Sequence, residues 1–193
     1  MTWPFGDLET FGYDLIMADP PWRFKNWSKA GTKKNASAKY HCMTLDDIKA
    51  LPVGDLASPH CLLWLWATNP MLPQAIEVLT AWGFQYKTAG TWLKQTVHGN
   101  TAFGTGYILR SANEPFLIGT VGKPKTARNV RSAVLGPVRE HSRKPEGAFD
   151  AAVQLMPDAR RLELFSRQSR PAWACWGNET GKFDDDLQAG DRQ

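Results

Sequence analysis

Asp19-Pro20-Pro21-Trp22 sets a carboxylate, two rigid prolines and an indole side by side. This is a combination able to handle an aromatic amine. The lone pair of an exocyclic amine on a base is delocalised into the ring, so alkylating it requires acceptors that turn the lone pair toward the incoming carbon. The Asp19 carboxylate and the Pro20 carbonyl, the latter in a conformation fixed by its ring, can each accept one N–H. Asp19 need not take a proton beforehand, because that N–H is far less acidic than a carboxylic acid; the proton leaves during or after transfer. Pro21 and Trp22 would offer a flat surface to a base taken out of its stack, a contact worth about 1–3 kcal/mol per base. No metal is needed. The same tetrapeptide can also simply end a strand and start a turn, so its setting has to decide.

The setting is a strand end. Tyr13–Ala18 is an apolar run halted by Asp19 and the prolines, which reads as a buried strand stopping where ladder donors stop. Similar runs follow at 61–67, 88–93, 115–121, 161–165 and 172–176. Between them, Thr44-Leu45-Asp46-Asp47 forms a capping pattern for a short helix through Leu51. Residues 73–82 have helical apolar spacing with Gly83 as the stop, and 146–156 repeat it behind Pro145, a residue suited to a helix start. Alternation of this kind predicts an α/β fold with a mostly parallel sheet flanked by helices.

In such sheets ligands bind beyond the carboxyl ends of the strands. The polar residues that follow the predicted strands are Asp19, Thr68-Asn69, Lys94, Ser166-Arg167 and Asn178-Glu179. They are expected to share one rim. Two long connections, 22–43 and 94–113, are expected to be functional loops, the first a gate that contacts substrate. Gly104-Thr105-Gly106 joins no strand to a helix and so is read as a mobile loop, not a nucleotide loop.

Composition narrows the partner. The chain has 193 residues, a net charge of +4 and nine Trp, with 42% apolar content. This fits one domain, 1–193, with an acidic flexible tail from about 183. The charge is uneven: the stretch 22–43 carries Lys25, Lys33, Lys34 and Lys39 and no acid, and 122–144 carries Arg128 and Arg131 among other cations with Glu140 as its one acid. With Lys94, these residues are candidates for contact with a nucleic acid. Cys42, Cys61 and Cys175 are scattered and lack metal-ligand spacing, which predicts no disulfide framework and no metal site. No leader and no apolar run of membrane-spanning length is visible, so a cytoplasmic protein without membrane attachment is expected.

A collinear series of motifs resembles the MT-A70 family of adenine-N6 methyltransferases. Met17-Ala18-Asp19-Pro20-Pro21-Trp22 is similar to its catalytic signature, and Tyr40-His41-Cys42-Met43-Thr44 to the segment that follows. Leu63-Trp64-Leu65-Trp66-Ala67-Thr68 and Trp92-Leu93-Lys94 resemble its later strands, and Gly104-Thr105-Gly106-Tyr107 with Glu114 its second active-site loop. Arg143-Lys144-Pro145, Leu162-Glu163-Leu164-Phe165-Ser166-Arg167 and Trp176-Gly177-Asn178-Glu179 resemble its cofactor-binding end. The resemblance implies a Rossmann-like methyltransferase fold in permuted order, S-adenosylmethionine as methyl donor and S-adenosylhomocysteine as product. It adds Tyr40 to the catalytic group of Asp19, Pro20, Pro21 and Trp22. It implies that Asp19 borders the cofactor, that Lys144 meets its carboxylate, Arg167 and Asn178 its ribose, and Glu179 its adenine.

The chain departs from the pattern at Gln168-Ser169-Arg170, where the messenger-RNA enzyme of the family has His-Asn, and at Glu179, where it has Gln. The expectation is N6 methylation of adenine in DNA, in a bacterial cell or a phage-infected host. The same reaction on RNA, cytosine-N4 methylation and a non-catalytic nucleic-acid-binding paralogue are the alternatives. No obligate protein partner is implied, and a homodimer is compatible.

Overall fold

The computed structural model describes residues 3–23, 42–106, 108–139 and 143–184. Expectations for Lys25, Lys33, Lys34, Lys39, Tyr40, most of the 22–43 loop and the acidic tail beyond Asp184 fall outside these residues.

Alternating side chains make one sheet with two apolar faces. Its strands are β1 (Tyr13–Ala18), β2 (Ala57–Trp66), β3 (Gln85–Gln95), β4 (Asn113–Thr120), β5 (Ala133–Pro137), β6 (Arg161–Leu164) and β7 (Trp173–Trp176), in the order β5-β3-β4-β2-β1-β6-β7. β1 pairs in parallel with β2 and β6, β6 with β7, and β3 with β5. β4 runs against both of its neighbours. Leu15 and Met17 share a face with Leu62, Trp64 and Trp66, while Ile16 and Ala18 share the other with Leu63 and Leu65.

Helices cover both faces. α1 (Leu45–Ala50) and α2 (Leu72–Ala81) bring Ile48, Ala75, Val78 and Leu79 onto the Leu63 face, and α3 (Glu146–Leu155) brings Ala148, Phe149 and Ala152 onto the Trp64 face. Thr44 caps α1 as expected, its hydroxyl accepting from the Asp47 amide at 3.1 Å. Gly83 ends α2 with a positive φ of 84°, a conformation that costs glycine least, and its amide bonds to the Thr80 carbonyl at 2.9 Å. The result is a Rossmann-like α/β fold. Among the described residues no helix is long and apolar enough to cross a membrane.

Two features differ from the sequence expectation. β5 was not expected, because Ala-Val-Leu-Gly-Pro is five residues long and ends in a glycine and a proline; both are tolerated at this outermost position of the sheet. The reversal of β4 puts the start of that strand, Asn113-Glu114, at the rim where its neighbours end. The loop between β3 and β4 is tied at its base, with the Ala102 amide on the Lys94 carbonyl and the Gly104 amide on the Ser111 carbonyl, both at 2.8 Å.

Candidate active site

Four charged side chains from four separate segments meet at that rim. Lys144, the residue before Pro145 and α3, places Nζ 2.6 Å from Asp19 Oδ2 and 2.7 Å from Glu114 Oε1. Glu114 Oε2 in turn lies 2.7 Å from Lys94 Nζ. The chain Asp19–Lys144–Glu114–Lys94 therefore alternates in sign, with side chains 31%, 7%, 12% and 25% exposed. Aromatic faces support both cations: Lys144 Nζ lies 5.3 Å from the Trp66 ring centroid and Lys94 Nζ 4.7 Å from that of Trp92. Trp92 also holds β5 in place, its indole donating to the Gly136 carbonyl at 3.0 Å. A Cβ on Gly136 would come 3.0 Å from Pro145, so glycine there lets the residue after Lys144 pack against the sheet.

Burial and neighbours set the protonation states. Burial raises the Asp19 carboxyl above its usual range; Lys144 opposes that rise and Glu114 adds to it. Glu114 is lowered, because the two lysines outweigh its burial. Lys144 is raised, since Asp19 and Glu114 together overcome the burial that favours a neutral amine. Lys144 is thus a fixed cation at neutral pH and no general base. Asp19 is the more basic of the two carboxylates at this point.

The remaining predicted residues separate into two groups. The Pro20 carbonyl accepts the Trp22 amide at 2.8 Å, which leaves it one lone pair for a further donor. Trp22 itself is a correction to the stacking expectation. Its ring is 5% exposed and its indole N–H donates to the Trp66 carbonyl at 3.1 Å, so it braces β2 from within the core and presents no face to a base. Pro21, half-buried, holds the Met43 amide on its carbonyl at 3.2 Å. Lys94 is likewise engaged by Glu114, while Arg128 and Arg131 stand exposed on the irregular segment between β4 and β5.

At the other end of the rim, Arg167 Nε pairs with Glu179 Oε2 at 2.7 Å, and Asn178 is exposed beside them. Gly177 makes this approach feasible: a Cβ there would sit 2.5 Å from the Ser166 carbonyl oxygen. Gln168 turns inward, 3% exposed, and accepts from Arg143 Nε and Nη2 at 3.1 and 2.6 Å. The departure noted in the sequence thus anchors the residue next to Lys144. Sequence reasoning did not find this contact, because nothing in the spacing of 143 and 168 signals it.

The donor set fits S-adenosylmethionine. An amino-acid zwitterion needs an anion beside a cation, as Asp19 and Lys144 provide, and a nucleoside needs hydrogen-bonding groups such as Arg167 and Asn178 for its ribose and Glu179 for its adenine. Trp66 Nε1 and Thr68 Oγ1, at the end of β2, are buried polar atoms with no protein partner among the described residues, which is what a ligand-completed site leaves. A mostly parallel sheet with such a rim is the architecture of Rossmann-like methyltransferases.

Comparison with known proteins agrees. The MT-A70 family model matches residues 13–179, and the chain belongs to this family of S-adenosylmethionine-dependent adenine-N6 methyltransferases. It is 30% identical to the Type II methyltransferase M.MunI of a Mycoplasma species, over 91% of this chain and 81% of that protein. It is 30% identical to the human N(6)-adenine-specific methyltransferase METTL4, over 89% of this chain and 38% of the relative. It is 31% identical to the N6-methyladenosine RNA methyltransferase MTA1 of Cryphonectria parasitica, over 89% of this chain and 52% of the relative.

Proposed function

We propose that this enzyme methylates the exocyclic N6 amine of adenine in DNA, with Asp19 and the Pro20 carbonyl as the two acceptors that orient the amine. The observation that carries the reading is Asp19 at the end of β1, adjoining a Pro20 carbonyl with a lone pair to spare and paired at 2.6 Å with a lysine that stays charged. S-adenosylmethionine, when bound, supplies the electrophilic methyl group. Asp19 accepts one N–H of the amine, Pro20 the other, and the amine lone pair is thereby turned out of the ring plane. Lys144 keeps Asp19 oriented and binds the cofactor carboxylate, a contact that shares or exchanges its bond to Glu114. Arg167, Asn178 and Glu179 hold the nucleoside end. Orientation of the reacting groups supplies most of the acceleration, as expected where no covalent or metal chemistry is invoked. The proton leaves the amine during or after transfer, with Asp19 as the nearest base.

The preference for DNA is supported by one relative matched over most of both chains, the Type II methyltransferase of a Mycoplasma species covered over 81% of its length, whereas a relative named for RNA is covered over 52% of its length. The test is incubation with S-adenosylmethionine and, separately, duplex DNA, single-stranded DNA and RNA, followed by nucleoside mass spectrometry beside an Asp19→Ala control. N6-methyladenine in DNA alone, absent from the control, is expected. Product in RNA alone would reassign the polymer, N4-methylcytosine would reassign the base, and full turnover by the variant would remove Asp19 from the mechanism.

A further inference from the structure

The connection between β3 and β4 turns large apolar side chains toward water. Val97, Phe103, Ile108 and Leu109 are each between 80% and 96% exposed. Single exposed apolar residues need no explanation, but four on one connection mark a surface that meets a partner. The backbone holds Phe103 in place. The Ala102 amide bonds the Lys94 carbonyl and the Gly104 amide the Ser111 carbonyl, both at 2.8 Å, so Phe103 is pinned on either side while its ring stays in solvent. A Cβ on Gly104 would lie 2.8 Å from the Ser111 carbonyl oxygen, and one on Gly106 2.0 Å from that of Leu109. Glycine at both positions is what lets the two limbs of the loop close on each other, which accounts for the Gly104-Thr105-Gly106 pattern.

Place and charge identify the partner. Both ends of the connection are rim residues: Lys94 leads into it, and Asn113-Glu114 leads out, with Lys94 Nζ on Glu114 Oε2 at 2.7 Å. A polymer that delivers an amine to Asp19 therefore lies beside this loop. Residues 95–112 contain no Asp or Glu, and Arg110 sets its guanidinium 5.5 Å from the Phe103 ring centroid. An exposed ring and aliphatic side chains beside a cation, with no acid near, suit a polyanion that carries flat apolar bases. A second copy laid on this patch by a two-fold axis would instead bring two acid-free cationic loops together. The need for such a ring is real, because Trp22 of the catalytic motif is buried against β2 and offers no face to a base.

We propose that this loop is the base-stacking surface of the enzyme: Phe103 stacks on a base next to the target adenine, Ile108 and Leu109 pack beside it, and Arg110 meets a phosphate. In a duplex the ring fills the step that the adenine leaves; on a single strand it supports the neighbouring base. The chemistry, ring on base, is the same in both. The inference rests on the reading of a nucleic acid as substrate, but not on which polymer is methylated.

The test is fluorescence anisotropy with single-stranded DNA, duplex DNA and RNA, each with S-adenosylhomocysteine present. Photocrosslinking to the single-stranded DNA, with 5-iodouracil in place of every thymine, accompanies it. A crosslink that peptide mass spectrometry maps to Phe103 is expected. Phe103→Ala should weaken binding by about fivefold or more, the lower end of what one base stack contributes, and Phe103→Trp should restore it. A loss on duplex DNA alone assigns the ring to opening a step, and a loss on single strands as well makes it a stacking platform. Equal affinities of wild type and Phe103→Ala on all three polymers would overturn the proposal. So would a dimer in sedimentation that Phe103→Ala dissociates while oligonucleotide affinity is unchanged, which assigns the patch to a second copy. A wild type that binds none of the three would overturn the substrate reading itself, and this inference with it. Coincident thermal melts of the variants, expected for an exposed ring, separate a lost contact from a lost fold.

Discussion

Lys144 between two carboxylates helps set the direction in which each of them is shifted. Burial raises Asp19, Lys144 opposes the rise and Glu114 reinforces it, so the two acids are not equivalent. If Asp19 must be ionised to accept the amine, kcat/KM falls as pH drops through its raised value. Glu114→Gln removes the charge that reinforces the rise while Lys144 still opposes it, so the acid limb of the profile should move to lower pH. The maximal rate should also drop, by about tenfold to a hundredfold, as expected when a preorganised charge is lost. A pH profile of kcat/KM on purified variant and wild type decides it; an acid limb that stays in place would detach Glu114 from Asp19. Glu114 illustrates the limit of reading residues from strand order. It entered only through family resemblance, because the rule that polar residues follow strands fails for a strand that runs backwards.

Elements carry a second titration. Glu163 sits in the middle of β6, beside Met17 of β1, 15% exposed, with Arg170 Nε 3.6 Å away and the Ser166 hydroxyl donating at 3.0 Å. Burial raises its pKa to about 7, with Arg170 and Ser166 pulling it back. The folded state therefore holds this proton more tightly than the unfolded chain. The stabilisation is complete below the ordinary glutamate value and declines as pH rises toward about 7. Over that window the loss is on the order of a few kcal/mol. Glu163→Gln should abolish that slope, melting near the wild type at pH 5 and several degrees above it at pH 8; parallel thermal-melt curves would exclude the effect. Gly177 offers a geometric counterpart at the junction of β6 and β7. Gly177→Ala would drive a methyl group to within 2.5 Å of the Ser166 carbonyl oxygen and push Asn178 and Glu179 away from Arg167. Affinity for S-adenosylmethionine should fall at least tenfold by calorimetry, and unchanged affinity would take that junction out of the binding site.

The elements also show how far periodicity reaches. β1 and α1 match their predicted limits to within a residue, because apolar alternation, a capping threonine and a proline stop are all local signals. Strand β5 and the direction of β4 depend on long-range pairing, and Ala-Val-Leu-Gly-Pro has no local signature that could reveal it. Trp22 shows the same limit at a single residue: the motif names an aromatic beside the acceptors, but whether its ring faces a base or the Trp66 carbonyl depends on β2, forty-four residues away.

At the scale of the molecule, the proposed nucleic-acid substrate has to be drawn to the rim by charge. The net charge is +4, yet the rim itself is balanced, with Asp19 and Glu114 against Lys94 and Lys144. Attraction must therefore come from cations outside it, and the sequence concentrates these in 22–43 and 122–144. Each phosphate contact contributes about 0.9 to the slope of log affinity against log salt for duplex DNA, and about 0.7 for a single strand. Replacing Lys33 and Lys34 together with alanine should weaken binding at low salt and flatten the slope by about 1.4 to 1.8 if both touch phosphate. Fluorescence anisotropy of a labelled oligonucleotide across a salt series measures both quantities at once. A slope that does not change would assign the two lysines to solvent and shift the electrostatic contact to the segment that bears Arg128 and Arg131. A flattened slope with unaltered kcat at saturating substrate would separate capture of the nucleic acid, governed by the loops, from methyl transfer, governed by Asp19 and the groups around it.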